Sequence, residues 1–551
     1  MSFTFTHPYD IDPAFSKPVA YFSMEYAIHQ PLKIYAGGLG FLSGSHLRSA
    51  YILKQNLVGV GILWKYGYYD QVRRSDQTMD VLFQEKIYHF LQDTGIQFTI
   101  QIHGQPVWVK AYYLPPEIFH TAPLFLLTTD IPENDYLART TCYKLYDSEL
   151  AARLAADIVL GFGGARLFEH LSWKPAVYHL NESHALPLAF YLYQQYRNTR
   201  EVKKRLVFTN HTPEAAGNPE TDMGLLHEMS FFGELSIDEV RQITHIDGPR
   251  LNHTLAAMRL AGITNGVSQL HTQTLRQMWG RETQLSPIIA ITNAQDAQYW
   301  ANHAMYEALH AGDLTKLREL KLAAKRKLFE VVADQCGKLF DEQILTIVVA
   351  RRFAGYKRMN LLLHDWQKFQ EIIHHTTYPV QIIWAGKPYP TDGAAIGLFN
   401  HLVQISKSYP NCAVLTGYEL SLSKLLKGGA DVWLNMPRLT REASGTSGMS
   451  AAMNGAVNVS IPDGWIAEFL KDGVNGFVIP AADPQLSEEE IDRQDAQAMY
   501  ATLQQRVLPL YYENHTQWLS LMSRSMQDVR PQFDSQRMAK AYYEQMYLQI
   551  G

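Results

Sequence analysis

The sequence predicts a two-lobed α/β protein built on doubly wound parallel sheets. Three observations carry that prediction. The chain has 551 residues, too many for one core, with an ordinary globular composition of 46% hydrophobic and 19% charged residues. Its apolar runs are short, rich in Val, Ile and Leu, and do not alternate with polar residues, as expected of strands buried on both faces. Longer helical stretches separate the runs, which is the rhythm of βα units.

In chain order, the first lobe contains LFLLTT (124–129), AVYHLN (176–181) and RLVFTNHT (205–212). A long charged helical stretch, NHAMYEALHAGDLTKLRELKLAAKRKLFEVVADQ (302–335), follows. The domain boundary is placed in or just after it, giving lobes of 1–335 and 336–530. The second lobe holds ILTIVVARR (344–352), VQIIWAGK (380–387), CAVLTGY (412–418), DVWLNMP (431–437) and AVNVSIPD (456–463). The tail DSQRMAKAYYEQMYLQI reads as an amphipathic helix, placed in a closing segment 531–551. There is no internal repeat and no low-complexity segment.

Bulk properties exclude several classes. A net charge of −5 with scattered basic residues argues against nucleic acid or an anionic membrane as partner. Cys142, Cys336 and Cys412 lie far apart with no CxxC pair, which suits a reduced compartment. The start MSFTFTHPYDIDPAF lacks the order of a signal peptide, and no apolar run reaches spanning length. A cytoplasmic protein without a membrane span is expected.

In open α/β sheets, ligands sit in the crevice at the carboxyl ends of strands, so strand-end motifs matter most. IYAGGLGFLSGSHLRSA (34–50) is a glycine loop before a helix. Its N–H groups suit an anion, and a plain tight turn explains it equally well. VVARRFAGYKRMNLL (348–362) sets Arg351, Arg352, Lys357 and Arg358 just past a strand, where they need an anion or carboxylates. VYHLNESHALP (177–187) and FTNHTPEAAGN (208–218) end strands with His, Asn and carboxylates, and two such ends in one lobe point to a site. His179 and His184 lack a third ligand at recognisable spacing, so no metal is expected. GFGGARLF (161–168) lacks the strand a dinucleotide fingerprint needs. In EASGTSGMSAAMNGA (442–456) an acid precedes small residues that open a helix, a pattern that brings backbone against a ligand. These features define a cleft for anions and something polar, without naming a reaction.

Taken together the motifs resemble the short-form α-glucan (glycogen/starch) phosphorylase family. The order matches from VAYFSMEYAIHQPLKIYAGGLGFLSGSHL through YHLNESHA, FTNHTPEAAGN, NGVSQLH, ITNAQDAQYW, ARRFAGYKRMNLLL and IIWAGKPYPTDG to DVWLNMPRLTREASGTSGMSAAMNGAVNVSIPDGW. The resemblance implies a GT-B glycosyltransferase fold, two Rossmann-like lobes with the site in the cleft and a C-terminal helix crossing back to the first lobe. It implies transfer of a glucosyl unit between an α-1,4-glucan and phosphate, with retention. It assigns Glu442, Ser444 and Gly445 to glucose hydroxyls, and Asn293 and His211 to the primary hydroxyl and ring. Asn181 and His184 join the substrate-binding set. Arg352 and Lys357 fall on the substrate phosphate and, with His211, form the implied catalytic set. Gly37, Gly38 and Leu39 form the loop beside that phosphate, and Thr446 lies near a cofactor phosphate.

One departure outweighs the rest. In the family, the position of Ser450 is the lysine that forms a Schiff base with pyridoxal phosphate (PLP). Serine has no amine, and no lysine occurs between Lys427 and Lys471. No covalent PLP is expected. Retaining nucleotide-sugar transferases of the same fold carry a ribose-binding glutamate in that slot, and Ser450 is not that either. Lesser departures surround it: Thr292-Asn293-Ala294-Gln295-Asp296, Ser43-Gly44-Ser45-His46-Leu47-Arg48 and Gly386-Lys387-Pro388-Tyr389-Pro390 replace the family's TNGVH, AGDHLK and GKAHP. The expectation is therefore a retaining glucosyltransferase with a nucleoside-diphosphate sugar donor and a glucan or other glycosyl acceptor. The alternatives are an α-glucan phosphorylase with non-covalent PLP or reduced activity and a non-catalytic glucan-binding or partner-binding protein. The resemblance also leaves room for a homodimer.

Overall fold

Every apolar run singled out in the sequence is a strand: Leu124–Thr128, Val177–Asn181, Leu206–Thr209, Leu345–Ala350, Val380–Ala385, Cys412–Leu415, Val432–Asn435 and Val457–Ser460. Of their residues, only Tyr178 is not buried. That burial is why the runs lack alternation. The structure is a computed structural model that describes residues 3–214 and 217–551. It divides into unit 1 (Met1–Tyr69, Phe83–Asn293 and Ser535–Gly551) and unit 2 (Asp70–Leu82 and Ala294–Asp534).

Unit 1 is built on a nine-stranded sheet. Its order is Ile288–Ala290, Ile263–Gly266, Leu206–Thr209, Val177–Asn181, Val19–Phe22, Leu57–Ile62, Leu124–Thr128, Gln105–Leu114 and Gln92–Ile102. The first seven run parallel, and the last two add an antiparallel edge. The sequence reading missed that edge because its strands do alternate, with one face buried and one wet. The closing helix Ser535–Tyr542 packs on helix Gly38–Ile52. Ser49 Oγ lies 2.5 Å from Ser535 Oγ, and Gln55 Nε2 donates to Ala539 O at 3.2 Å.

Unit 2 is a six-stranded parallel sheet ordered Cys412–Leu415, Val380–Ala385, Leu345–Ala350, Val432–Asn435, Val457–Ser460 and Gly476–Val478. Numbered in chain order within the unit, this is 3-2-1-4-5-6, the dinucleotide-fold arrangement. The hairpin Asp70–Arg73/Met79–Leu82 also belongs here. Gln71 Nε2 donates to Gly386 O at 3.0 Å, and Gly417 N donates to Gln71 Oε1 at 2.9 Å.

The structural division falls between Asn293 and Ala294, ahead of the helical stretch at which the sequence reading set its boundary. That stretch folds as His303–His310 and Leu314–Cys336, both inside unit 2. The physical reason is the inner face of the second helix. Leu328, Phe329 and Val332 join Val348, Ile383 and Trp433 in one core. Lys325, fully buried, lies 2.5 Å from the Asp431 carboxylate. The glycines of GFGGARLF prove to be packing glycines within a helical segment: a Cβ on Gly164 would lie 2.4 Å from the Phe22 ring. Among the described residues, no helix is long and apolar enough to cross a membrane.

Removing one partner of a buried ion pair leaves an uncompensated charge, which costs about 3–5 kcal/mol. Lys325→Met is therefore expected to destabilise unit 2 by that amount, read as a lower urea midpoint. An unchanged midpoint would show that the pair contributes nothing to this packing.

Candidate active site

In unit 2 the chain leaves strands Leu345–Ala350 and Val432–Asn435 at the point where strand order reverses. This is where doubly wound sheets hold ligands. Arg351 and Lys357 follow the first strand, and Glu442 follows the second. Arg351 Nη2 donates to Glu442 Oε2 at 2.8 Å, and Lys357 Nζ lies 3.0 and 2.9 Å from the two carboxylate oxygens. Arg351 is 6% exposed and Glu442 7%. Burial alone would raise the Glu442 carboxyl, but the charges of Lys357 and Arg351 win and hold it at about 2.

Glycines permit the close approach. A Cβ on Gly386 would sit 2.0 Å from Arg351 O. Gly445, at φ +78°, turns the chain back over Glu442, whose Cγ and Cδ would lie 3.3 Å from an added Cβ. Glu442 N donates to Asp463 Oδ2, and Gly464 N to Asp463 Oδ1, both at 2.9 Å. Burial pushes the Asp463 carboxyl up to about 7; the backbone N–H of Glu442 opposes the rise and its carboxylate adds to it. Arg351 Nε and Nη1 and Ser444 Oγ are buried polar atoms with no partner among the described residues. Such atoms in a native site call for a ligand or water.

The cation cluster splits by role. Arg358 is structural: Nε and Nη2 donate to Met436 O and Pro437 O, both at 2.8 Å, and the guanidinium pairs with Asp492 and Asp495. Arg352 is exposed. Arg351, given no individual role in the sequence reading, is the arginine that meets Glu442. Asp463 was missed as well, although it closes the run AVNVSIPD at a strand's carboxyl end, which was the available signal.

Helix Ser447–Ala452 follows the Glu442 turn. Ser450 is fully buried, and its hydroxyl lies 3.4 and 3.3 Å from Thr446 O and Ser447 O of the same turn. A Cβ on Gly448 would lie 2.6 Å from Asn458 Oδ1. No side chain of this helix carries an amine. These residues therefore do not fit a PLP held covalently at this helix.

Unit 1 has its own strand-order reversal, between Val19–Phe22 and Val177–Asn181. Glu25 lies past the first strand. Its Oε2 accepts Ala36 N at 2.6 Å and Gly37 N at 3.0 Å, so the protein's own carboxylate takes two N–H groups of the glycine loop. The helix then starts at Gly38. A Cβ on Gly44 would strike Ala27 O at 2.2 Å, whereas one on Gly37 or Gly38 would meet nothing within 4 Å. The inner glycines of the motif serve packing, and the outer ones border open space next to Leu39.

Beyond the second strand, Asn181 Nδ2 donates to Ser23 Oγ at 3.1 Å and Ser43 Oγ at 3.0 Å. Its Oδ1 is left to accept His211 Nε2 at 2.7 Å. Glu182 adopts φ +72°, uncommon for a residue with a side chain, and its Oε1 accepts His211 N at 2.6 Å and Thr212 Oγ1 at 3.1 Å. Burial lowers His211 to about 3, so the ring is neutral at physiological pH. His179 points into the interior, bonded to Tyr547 and Thr209. Asn293 is buried with Oδ1 unpartnered among the described residues. His184 lines a cavity with Trp64, Asp157 and His253. Among the described residues, no group of three or more His, Cys, Asp or Glu is arranged to hold a metal ion.

The two parallel doubly wound units fit, and the family models matched by this chain identify, a glycosyltransferase-type enzyme of the GT-B fold. Residues 253–475 match the carbohydrate phosphorylase model, and residues 30–289 match the starch synthase catalytic domain. The chain is 32% identical over 595 residues to the maltodextrin phosphorylase of Thermococcus litoralis, covering 97% of this chain and 71% of that protein. It is 30% identical over 614 residues to a glycogen phosphorylase of Mycobacterium tuberculosis, covering 96% and 70%. An uncharacterized protein of Methanocaldococcus jannaschii is 43% identical over 541 residues, covering 96% of this chain and all of that one. The chain belongs to the carbohydrate phosphorylase family.

The two carboxyls of the unit 2 site oppose each other in pH dependence. Glu442, held below its ordinary 4.5, contributes stability above that value and loses it as pH falls toward 2. Asp463, raised from 3.8, contributes stability that is full below about 4 and lost as pH rises through about 7. Asp463→Asn should therefore flatten the fall in melting temperature between about pH 4 and 7. An unaltered slope in thermal unfolding would show that Asp463 titrates as an ordinary carboxyl.

Proposed function

We propose that the chain is a retaining glucosyltransferase whose donor is a nucleoside-diphosphate sugar. The observation that carries this reading is a contrast within unit 2. The buried Glu442–Arg351 pair, with the partly exposed Lys357, keeps a fixed acid and cations at the strand-order reversal. The following helix has a buried Ser450 and no amine. In the phosphorylases, substrate phosphate is paired with a cofactor phosphate. A nucleotide sugar brings two phosphates in one molecule and needs no Schiff-base lysine.

In this reading the donor's anionic oxygens satisfy the open N–H groups of Arg351 and take charge from Lys357. Arg352, exposed at the same strand end, assists at the phosphate. Glu442 and the turn Ser444–Thr446 orient the glucosyl hydroxyls. The bond from the anomeric carbon to the phosphate oxygen breaks, and its electron pair stays on the nucleotide. The cations stabilise that charge. An oxygen of the departing diphosphate accepts the acceptor hydroxyl's proton on the same face of the sugar. The acceptor oxygen then bonds the anomeric carbon with retention. For unit 1, the reading gives His211, Asn181, His184 and Asn293 to sugar hydroxyls, and the Gly37–Leu39 loop to a phosphate oxygen. The acceptor is a glucan or another glycosyl hydroxyl.

A second reading, a phosphorylase holding PLP without a covalent link, is favoured by the relatives named maltodextrin and glycogen phosphorylase.

Thermal unfolding against a panel of nucleotide sugars tests the first reading, since a ligand at a hundred times its Kd adds about 2.7 kcal/mol. One member should raise the melting temperature. Lys357→Ala should remove the rise, and Glu442→Gln, which leaves Arg351 without its carboxylate, should lower glucosyl transfer by about 10²–10³ when compared at a temperature at which circular dichroism shows both proteins folded. Stabilisation by no nucleotide sugar would overturn the reading. For the second reading, absorption bands of added PLP should survive gel filtration; their loss would eliminate it.

A further inference from the structure

Unit 2 has a cavity of about 180 Å³ at the opposite end of its strands from Glu442. Gln343 and Asp431 line it and stand just before strands Leu345–Ala350 and Val432–Asn435, whereas Glu442 follows the carboxyl end of the second. Helix His515–Phe533 gives the cavity one wall, with His515, Trp518, Leu519 and Met522 on a single face at i, i+3, i+4 and i+7. Trp518 and Met522 are buried, and the Trp518 ring meets Tyr511 edge to face at 5.2 Å, so this wall is apolar and aromatic. Helix Leu314–Cys336 gives the other wall, with Arg318 and Lys321.

The charges of the lining do not balance. Among the described residues Asp431 is its one carboxylate, and Asp431 Oδ2 already takes Lys325 Nζ at 2.5 Å and Thr346 N at 2.9 Å. The two cations of the lining bond only to neutral oxygens. Arg318 Nη2 donates to Gln343 Oε1 at 2.9 Å, and Lys321 Nζ donates to Gly428 O at 2.8 Å and Asn454 O at 3.1 Å. An ammonium has three donors, so Lys321 keeps one open although it is only 5% exposed. Burial lowers Lys321 to about 7; the Asp431 carboxylate opposes the fall and the Lys325 charge adds to it.

An acceptor is open as well. His515 Nδ1 lies 3.4 Å from Tyr511 O, and Nε2 is buried with no partner among the described residues. Burial lowers His515, so its ring is neutral at pH 7; with the Nδ1 proton turned to Tyr511 O, Nε2 accepts. A buried open donor, a buried open acceptor and uncompensated positive charge beside an aromatic wall call for a ligand. The charge selects an anion. The volume selects a single ring, since a cavity of about 150 Å³ holds one benzene.

We propose that this cavity binds a planar ring carrying one anionic group, a carboxylate or a phosphate, and one hydroxyl. The anion meets Lys321 and Arg318, the hydroxyl donates to His515 Nε2, and the ring packs on Trp518. This site is independent of the donor reading above. The probes are 4-hydroxybenzoate, 4-hydroxyphenyl phosphate and uncharged 4-hydroxybenzamide, titrated by calorimetry and tryptophan fluorescence. Arg318 is exposed and Leu519 partly so. Arg318→Gln removes the outer charge and keeps a polar side chain, and Leu519→Trp fills the space.

Wild type should bind at least one of the two anions, and the tighter of them identifies the anionic group. The amide should bind at least about tenfold more weakly than 4-hydroxybenzoate or its phosphate counterpart. Arg318→Gln should weaken the anion at least about threefold and Leu519→Trp at least about tenfold, with melting temperatures preserved. Arg318→Gln, a surface change, decides the matter if Leu519→Trp does not fold. Binding of neither anion by wild type at about 10 mM would overturn the proposal. So would equal affinity for the amide, or unchanged affinity in Arg318→Gln.

Discussion

A carboxylate buried between a guanidinium and an ammonium is the constraint around which unit 2 is arranged. Taking Glu442 and Arg351 out of water costs several kcal/mol per ion, and Lys357 beside them is only partly exposed. Backbone features around it exist to make the approach possible. Gly386 is bare because Arg351 O occupies the place of a Cβ, and Gly445 turns at positive φ to lie on Glu442. Asp463 then fixes the Glu442 backbone from behind. Even so, Arg351 keeps two donors unspent. An arrangement this costly still leaves buried donors open, and the nucleotide sugar proposed as donor would satisfy them.

The neighbouring helix shows the opposite economy. Ser450 returns its hydroxyl to its own turn, and Gly448 is bare because Asn458 and Trp465 press on it. A long side chain at 450 would have to find a path out of a fully buried position. Membership of the phosphorylase family and the absence of an amine here are thus compatible. The parallel sheets of the fold are kept, and the helix that carries Ser450 is packed as ordinary core.

Much of this was legible in the residues. The buried parallel strands announced themselves because residues buried on both faces must be apolar throughout. The motif order carried the family, and Glu442, Lys357, His211 and Asn181 were all named from it. Other features were hidden for identifiable reasons. The antiparallel edge of unit 1 alternates like any half-exposed strand. The hairpin Asp70–Leu82 belongs to unit 2 through long-range bonds to Gly386 and Gly417, which no local pattern encodes. The helix Leu314–Cys336 looked like a connector because it is charged, yet two of its lysines are buried.

By itself the sequence determined the fold class, the family and the chemical character of each strand end, since these depend on residue type and spacing along the chain. Only the tertiary structure decided which cation meets which carboxylate: Arg351 and Lys357 serve Glu442, whereas Arg358 is spent on Asp492 and Asp495. It also decided that Glu25 takes the N–H groups of the glycine loop and that Trp64, Asp157, His184 and His253 share one cavity. The reason is physical. Ion pairing and cavity formation act between side chains tens to hundreds of residues apart, and their partners are chosen by packing, which a linear pattern does not contain.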